Sequence, residues 1–327
     1  MQTTGIRGSR LSIQQAHLWE LQRDTQTYWV QCAVSLDGPI QSEILRLACE
    51  DVIYRHEILR TLFRHVPGMD APVQMVNAEA GLAFKEYDLR HLNPSAQQYY
   101  VEELLLNLRE SQPDLAQDPI VHVSLLKRAE QQTLLLLGLP ALCADIPTLE
   151  RFIAELAECY VTRVQSKANA LDEDVLQYAD VSAWQNEILK EEDAHLRQNF
   201  WAQMDLSRLA SVRLPFGQLI SLPTAQEEFT PQSLAMQGSS SLATALLRSA
   251  EQVGISLEAF LLSCWQLLLW RLTGQEEISL GVACDGRHYE DLENALGLYT
   301  RFVPLFTSPQ EEELFSEFLP QVQNTLE

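Results

Sequence analysis

The chain has 327 residues, of which 46% are hydrophobic and 21% are charged. This composition supplies a large core for one big domain or two medium ones, and it excludes an intrinsically disordered protein. The 23 lysines and arginines are outnumbered by 45 aspartates and glutamates, giving a net charge of −22. Such a charge repels nucleic-acid phosphates and anionic membranes, so neither is an expected partner.

The cysteines and apolar segments exclude further classes of protein. The six cysteines are too thinly spread for a disulfide-stapled mini-domain, and none forms the C-x-x-C pair typical of structural zinc sites. We expect reduced, mostly buried thiols and no metal. Residues 1–10 hold no signal-peptide stretch, and the longest apolar run, Ala259–Trp270, is too short to span a membrane. The sequence predicts a soluble cytoplasmic protein.

The first half of the chain predicts both helices and strands. A serine cap opens a predicted helix over Ser12–Leu21. Every second residue from Tyr28 to Leu36 is apolar, which predicts a strand with one strongly apolar face. Helical spacing predicts a helix over Glu43–His56. The continuous apolar runs Ile120–Leu126 and Leu134–Leu139 are typical of central strands that are covered on both faces.

The second half continues this alternation. A proline in the first turn opens a periodic helical pattern over Pro147–Tyr160. The polar stretch Ser166–Asp174 is interpreted as a linker, and Pro215–Ser241 as a second irregular stretch. A helix is predicted over Ser256–Leu272 and a strand over Ile278–Ala283.

Interleaved strands and helices predict an α/β fold in two two-layer lobes, over residues 8–170 and 175–327. The common catalytic motifs are absent from the sequence: there is no G-x-G-x-x-G, phosphate loop, H-E-x-x-H or G-x-S-x-G. The seven histidines are scattered, without the pair spacing of a metal site. Nothing therefore predicts a nucleotide or metal cofactor.

One nine-residue segment carries a specific resemblance. Arg55–Phe63 reads R-H-E-I-L-R-T-L-F and matches the R-H-E-x-L-R-T-x-F motif of nonribosomal peptide synthetase condensation domains at every defined position. Ser12–Leu21 is similar to the family's opening S-x-A-Q-x-R-L-W-F-L, with departures at Gln14, His17 and Glu20. Tyr178–Trp184 is similar to Y-x-D-Y-A-x-W. Later matches, in the family's order, are Phe200-Trp201, Leu214-Pro215, Gly286-Arg287 and Leu296–Tyr299.

The resemblance implies a fold of two lobes, each like chloramphenicol acetyltransferase, arranged as a V. It implies that carrier proteins deliver acyl groups to a tunnel between the lobes, where an amine attacks a thioester. The implied partners are such carrier proteins and adjacent synthetase domains. The phosphopantetheine arm would arrive on a carrier, so the chain itself needs no cofactor. In the family, the second histidine of an H-H-x-x-x-D-G motif assists the attack.

This sequence departs from the family at that motif. The expected loop reads Pro140-Ala141-Leu142-Cys143-Ala144-Asp145-Ile146. Aligned on Asp145, Pro140 and Ala141 occupy the two histidine positions, and neither side chain can move a proton or donate a hydrogen bond. The family's aspartate is architectural and pairs with an arginine, and Asp145 is retained. The residues interpreted as a retained structural motif are Arg55, His56, Glu57, Arg60, Asp145, Tyr178, Asp180 and Trp184.

These observations favour a domain that retains the family's fold but lacks its catalytic side chains. Such a domain would serve as a structural or docking platform for a carrier protein or a neighbouring enzyme. The alternative is an active acyltransferase that forms an amide or ester through tunnel geometry or through Cys143. His56 is interpreted as structural, and Asp145, paired with an arginine, as a poor base.

A third interpretation concerns the second lobe. The family's domain continues beyond the segment that corresponds to Glu327, and the helix-like stretch Glu312–Leu326 is the last element here. An unfinished sheet exposes an edge and apolar surface. We therefore expect a truncated second lobe whose surface is covered by a partner chain or by further residues.

Overall fold

A computed structural model describes residues 8–22, 27–79, 81–166, 175–188, 199, 214–215 and 236–326. The chain divides into two compact units, residues 1–197 with 285–301 and residues 198–284 with 302–327. Among the described residues no single helix is long and apolar enough to cross a membrane. Within the described ranges, one pair of helices, 240–253 and 257–273, meets the length and composition requirement when taken together, but it is bent by 99°.

The first unit contains most of the described strands. Its helices are α1 (Ile13–Gln22), α2 (Ser42–Arg55), α3 (Pro94–Arg109), α4 (Ile146–Val164) and α5 (Tyr178–Ile188). Its strands are β1 (Ser9–Arg10), β2 (Trp29–Asp37), β3 (Thr61–Arg64), β4 (Val73–Val76), β5 (Leu82–Asp88), β6 (Val121–Ala129) and β7 (Gln132–Pro140). Short 3-10 turns cover Glu57–Arg60 and Glu290–Leu292.

The main sheet has the order β2-β7-β6-β5, and a smaller sheet has the order β1-β4-β3. Strand β7 is antiparallel to both neighbours, whereas β5 and β6 are parallel. Every residue of β7 from Thr133 to Pro140 is buried, as the continuous leucine run predicts for a strand covered on both faces. Strand β7 therefore delivers the loop that follows it from the centre of the core.

Segments from the far end of the sequence complete this core. Tyr178 of α5 and the later residues Leu292, Leu296 and Tyr299 belong to the same buried cluster as β7 and α4. The two compact units therefore do not coincide with the predicted lobes 8–170 and 175–327. The sequence predicts helix α5 and residues 285–301 in the second lobe, but they bury their apolar side chains in the first unit. The lobe boundary itself stays a prediction.

The second unit contains α6 (Ser240–Val253), α7 (Leu257–Thr273), α8 (Phe315–Leu326) and the strand pair β8 (Ile278–Cys284) and β9 (Arg301–Thr307). Phe260 and Phe315 pack edge to face, with ring centroids 5.7 Å apart. Large apolar side chains are nevertheless exposed, among them Trp265, Phe302 and Leu314. The predicted linker lies outside the described residues beyond Ser166, as do most of 215–241 and the whole of Phe200-Trp201.

Candidate functional site

The loop between β7 and α4 is a tight turn at the end of the central strand. The amide of Ala141 donates to the carbonyl of Tyr28 at 2.7 Å, and the amide of Cys143 donates to the carbonyl of Pro140 at 2.8 Å. Pro140 is buried and Ala141 is half-buried. The two positions aligned with the family's histidines thus lie where the sheet ends, and neither side chain carries a titratable or hydrogen-bonding group.

Asp145 closes the loop as the N-cap of α4. Its Oδ1 accepts hydrogen bonds from the amide and the hydroxyl of Thr148, at 3.0 and 2.7 Å. Its Oδ2 accepts from the amides of Tyr299 and Thr300, both at 3.0 Å. A cap of this kind satisfies amides that the first helical turn leaves free, so this carboxylate joins α4 to the segment 299–300.

Arg287 forms a bidentate pair with Asp145. Its Nη1 and Nη2 donate to Oδ2 and Oδ1, each at 2.9 Å. The side chains of Arg287 and Asp145 are 1% and 4% exposed. The guanidinium also lies over the ring of Tyr299, 4.3 Å from its centroid, which adds a cation–π contact.

The environment of Asp145 makes it a poor base. Burial by itself raises the pKa of this carboxyl, but hydrogen bonds and charge from Arg287, together with the bonds from Thr148 and Tyr299, outweigh burial and hold its pKa below the usual range. The carboxylate is already saturated with donors. It can stabilise the loop, but it offers no free lone pair to accept a proton from a substrate amine.

A second buried network holds the loop from its other side. The side-chain amide of Gln15 donates to the carbonyl of Leu142 at 2.9 Å. The hydroxyl of Tyr178 donates to the carbonyl of Leu298 at 2.8 Å and accepts from the hydroxyl of Ser12, 2.7 Å away. These bonds fasten the loop and the segment 296–300 to α1 and α5.

The residues of the nine-residue motif form a separate ion-pair cluster at the end of α2. The Nε2 atom of His56, a residue only 2% exposed, lies 2.8 Å from a carboxylate oxygen of Glu155 on α4. Arg55 contacts the same carboxylate at 3.5 Å. Arg60 donates to the carbonyl of Asn77 at 2.7 Å and lies 3.5 Å from Glu57. The contacts of His56 tie α2 to α4, which is a structural role.

The Tyr178–Trp184 segment divides between two environments. Tyr178 is fully buried beside the loop network, whereas Asp180 and Trp184 are exposed.

Within the described part of the chain, no group of three or more histidine, cysteine, aspartate or glutamate side chains is placed to hold a metal ion.

Two residues of the site, Arg287 and Tyr299, are not among the site residues predicted from the sequence. They occur there only within the short family matches Gly286-Arg287 and Leu296–Tyr299. The order of these matches along the chain is the one sequence signal that points to them. Their contact with Asp145 spans 142 and 154 positions of sequence, a separation that no local pattern encodes.

Cys143 is packed inside the loop and has no exposed surface. Burial raises the pKa of its thiol far above the usual range. A thiol acts as a nucleophile only as the thiolate, which apolar surroundings disfavour. The geometry therefore opposes the interpretation in which Cys143 carries an acyl group.

We expect Cys143 to resist alkylation in the native protein. Its reaction with iodoacetamide should be on the order of a hundredfold or more slower than that of the exposed Cys264, because reagent reaches the buried thiol only after local unfolding. Peptide mass spectrometry over a time course measures both rates in one sample. Comparable rates for the two cysteines would show that the loop opens readily and would restore the thiol as a candidate nucleophile.

Residues 10–327 match the family model described as Condensation domain. Gramicidin S synthase 2 of Aneurinibacillus migulanus is 29% identical over 314 residues, covering 95% of this chain and 7% of that protein. Chondramide synthase cmdD of Chondromyces crocatus is 27% identical over 311 residues, covering 94% and 8%. The chain thus spans a small fraction of the length of the synthetases that it matches.

Solved structures agree on the fold. The first condensation domain of the calcium-dependent antibiotic synthetase, in complex with a substrate analogue, has a TM-score of 0.83 at 17% identity, covering 98% of this chain and 73% of that one. The X-domain in its complex with OxyB from teicoplanin biosynthesis has a TM-score of 0.71 at 21% identity, covering 99% and 70%. The predicted α/β fold is confirmed, and the chain belongs to the condensation-domain family.

Proposed function

We propose that this chain is a non-catalytic condensation domain of a cytoplasmic nonribosomal peptide synthetase, and that it serves as a structural and docking platform for a carrier protein or a neighbouring enzyme. The observation that carries the proposal is the contrast within one loop. When the loop is aligned with the family's motif on Asp145, Pro140 and Ala141 fall at the two histidine positions. The buried hydrogen bonds that join Asp145 to Arg287 and to the segment 299–300 are nevertheless all present.

A general base must lie within hydrogen-bond reach of the proton that it removes. The loop 140–146 has two titratable side chains, and neither is available to a substrate: Cys143 is buried, and Asp145 already accepts hydrogen bonds on both oxygens. Holding two substrates together is the contribution to rate that remains open to such a site, and it is the basis of the alternative, transfer through tunnel geometry. The absence of a base in the loop supports a docking role over amide or ester formation.

The docking half of the proposal draws on a similar fold. An X-domain with this fold was solved in complex with OxyB, so a protein of this fold can present a surface to another protein. The exposed apolar side chains of the second unit support a further proposal that a partner segment covers them. Any phosphopantetheine would come attached to the carrier, and the chain itself would need no cofactor.

A single-turnover assay tests the proposal. The domain is presented with its neighbouring carrier proteins, the donor loaded as a thioester and the acceptor as an amine, and products are read by intact-protein mass spectrometry. We expect transfer no faster than in the control without the domain, because the missing acid–base group is worth about 10²–10⁴-fold in rate. Carrier binding, measured by calorimetry, should remain detectable.

Matched variants make each outcome decisive. A related domain with both histidines, and the same domain with its second histidine replaced by alanine, set the range of the assay. Transfer by the wild-type chain above background would overturn the non-catalytic assignment. If that transfer vanished in Cys143→Ala, the thiol would be its source; if it persisted, tunnel geometry would be. Absence of carrier binding and of binding to adjacent domains would overturn the docking role.

A further inference from the structure

A cavity in the first unit has the chemistry of a binding site for an organic cation. It encloses about 380 Å³ between the first turns of α5 and the short 3-10 turn at 290–292. Its apolar floor includes Val181 and Leu292, and its walls include Trp184 and Tyr289. A volume of this size with a few polar groups is typical of small-ligand sites.

The aromatic walls contact each other and are open to solvent. The rings of Trp184 and Tyr289 lie edge to face, with centroids 5.7 Å apart and planes at 82°. Trp184 is 45% exposed and Tyr289 is 59% exposed, although both are large apolar rings that packing would ordinarily cover. The faces of aromatic rings carry negative potential, so an exposed pair of this kind attracts cations.

The charged side chains that line the cavity are both acidic. Asp180 and Asp291 line it, and its described lining contains no cationic side chain. Neither carboxylate makes an ion pair or a side-chain hydrogen bond within the described part of the chain, in contrast to the saturated Asp145. Glu290 and Glu293, on either side of Asp291 in the chain, are exposed as well.

We propose that this cavity binds the arginine side chain of a basic polypeptide segment belonging to a partner protein. A guanidinium is planar, stacks on aromatic faces and pairs with carboxylates, while its three-carbon stem covers apolar surface. The net charge of −22 favours a basic partner over long range. The inference uses none of the residues of the loop 140–146, so it holds whether or not the domain catalyses transfer.

The test compares an arginine peptide with its neutral isostere. Acetyl-Gly-Arg-Gly-amide and the same peptide with citrulline are titrated into the full chain, with the indole N–H signal of Trp184 followed by NMR and assigned by its loss in Trp184→Phe. We expect saturable shifts with arginine and at least about tenfold weaker binding with citrulline, since both the cation–π contact and the ion pairs need the charge.

Variants locate the site. Asp180→Asn and Asp291→Asn should each weaken binding by about threefold, because exposed ion pairs are individually weak, and the double variant by about tenfold. Glu102→Gln, which removes an exposed carboxylate from α3, is the matched control and should leave the affinity unchanged. Thermal midpoints of all the variants should equal that of the wild-type protein, since both aspartates are exposed.

Three results would overturn the proposal. Equal binding of the citrulline peptide would show that charge is not recognised. An equal loss of affinity in Glu102→Gln would reduce the effect to the overall field of an acidic protein. Agmatine is the third probe: if this free guanidinium binds and the peptide does not, the occupant is a small molecule and not a polypeptide segment.

Discussion

Replacing Arg287 by methionine is expected to lower the free energy of unfolding of the first unit by about 3–5 kcal/mol, the cost of leaving a buried charge without its partner. Both side chains of the pair are almost fully buried. The substitution keeps a long apolar stem, so the loss reports on the guanidinium and all of its bonds. Their acceptors are the side chains of Asp145, Thr148 and Asp285 and the carbonyls of Ala295 and Gly297. Urea unfolding combined with native-state hydrogen exchange in β7 and α4 measures it.

Two further variants test whether burial is the cause. Arg90 pairs with Asp88 at 2.6 Å, but the two side chains are 38% and 52% exposed, so Arg90→Met should barely move the unfolding midpoint. Asp145→Asn combined with Arg287→Met removes both charges and should recover part of the loss. If Arg287→Met lowers the free energy of unfolding no more than Arg90→Met does, the buried pair of Arg287 and Asp145 does not stabilise the loop.

The contribution of Asp145 also has a defined pH window. Its pKa is lower in the folded protein than the ordinary value, which is about 4 in an unfolded chain. Its stabilisation is therefore fully present above that value and is lost as the pH falls through the lower, folded pKa. The stability difference between the wild-type protein and Asp145→Asn should accordingly shrink as the solution is acidified through this window.

Local elements of the fold are predictable because their signals are local. The leucine run of β7 and the proline that follows the Asp145 cap place the loop between a buried strand and a helix, and the structure has both elements. The alternation over β2 is equally clear. Helix α3 carries a local signal too, although no helix is predicted there: Asn93 caps it and Pro94 occupies its first turn.

The rest of the site depends on long-range contacts. Strands β3 and β4 have only four residues each, too few for a periodic pattern. They form because β3 pairs with β4, which also pairs with β1. Arg287 and Tyr299 belong to segments that match the family, but the sequence does not reveal their contacts with Asp145, which form only when residues 285–301 fold back into the first core. The grouping of α5 with this core has the same origin, since the partners of Tyr178 come from both ends of the chain.

Gly297, in the segment 285–301, lies at a position that has no room for a side chain. Its φ is +147°, and a Cβ atom there would lie 2.1 Å from the ring of Tyr178. That ring cannot move freely, because its hydroxyl is bonded to Ser12 and Leu298 and its edge packs against Tyr299. Gly297→Ala should therefore cost about 4 kcal/mol, the sum of overpacking and backbone strain.

Gly38 separates the two causes within the same unit. Its φ is also positive, at +102°, but a Cβ there meets nothing within 4 Å, so Gly38→Ala should cost only about 1–2 kcal/mol of backbone strain. Urea unfolding of both variants gives the difference. A larger loss at Gly297 would show that close packing against Tyr178 holds the segment 296–300, and with it the amides that saturate Asp145. Equal losses would assign the whole effect to the backbone and show that close packing against Tyr178 does not hold the segment.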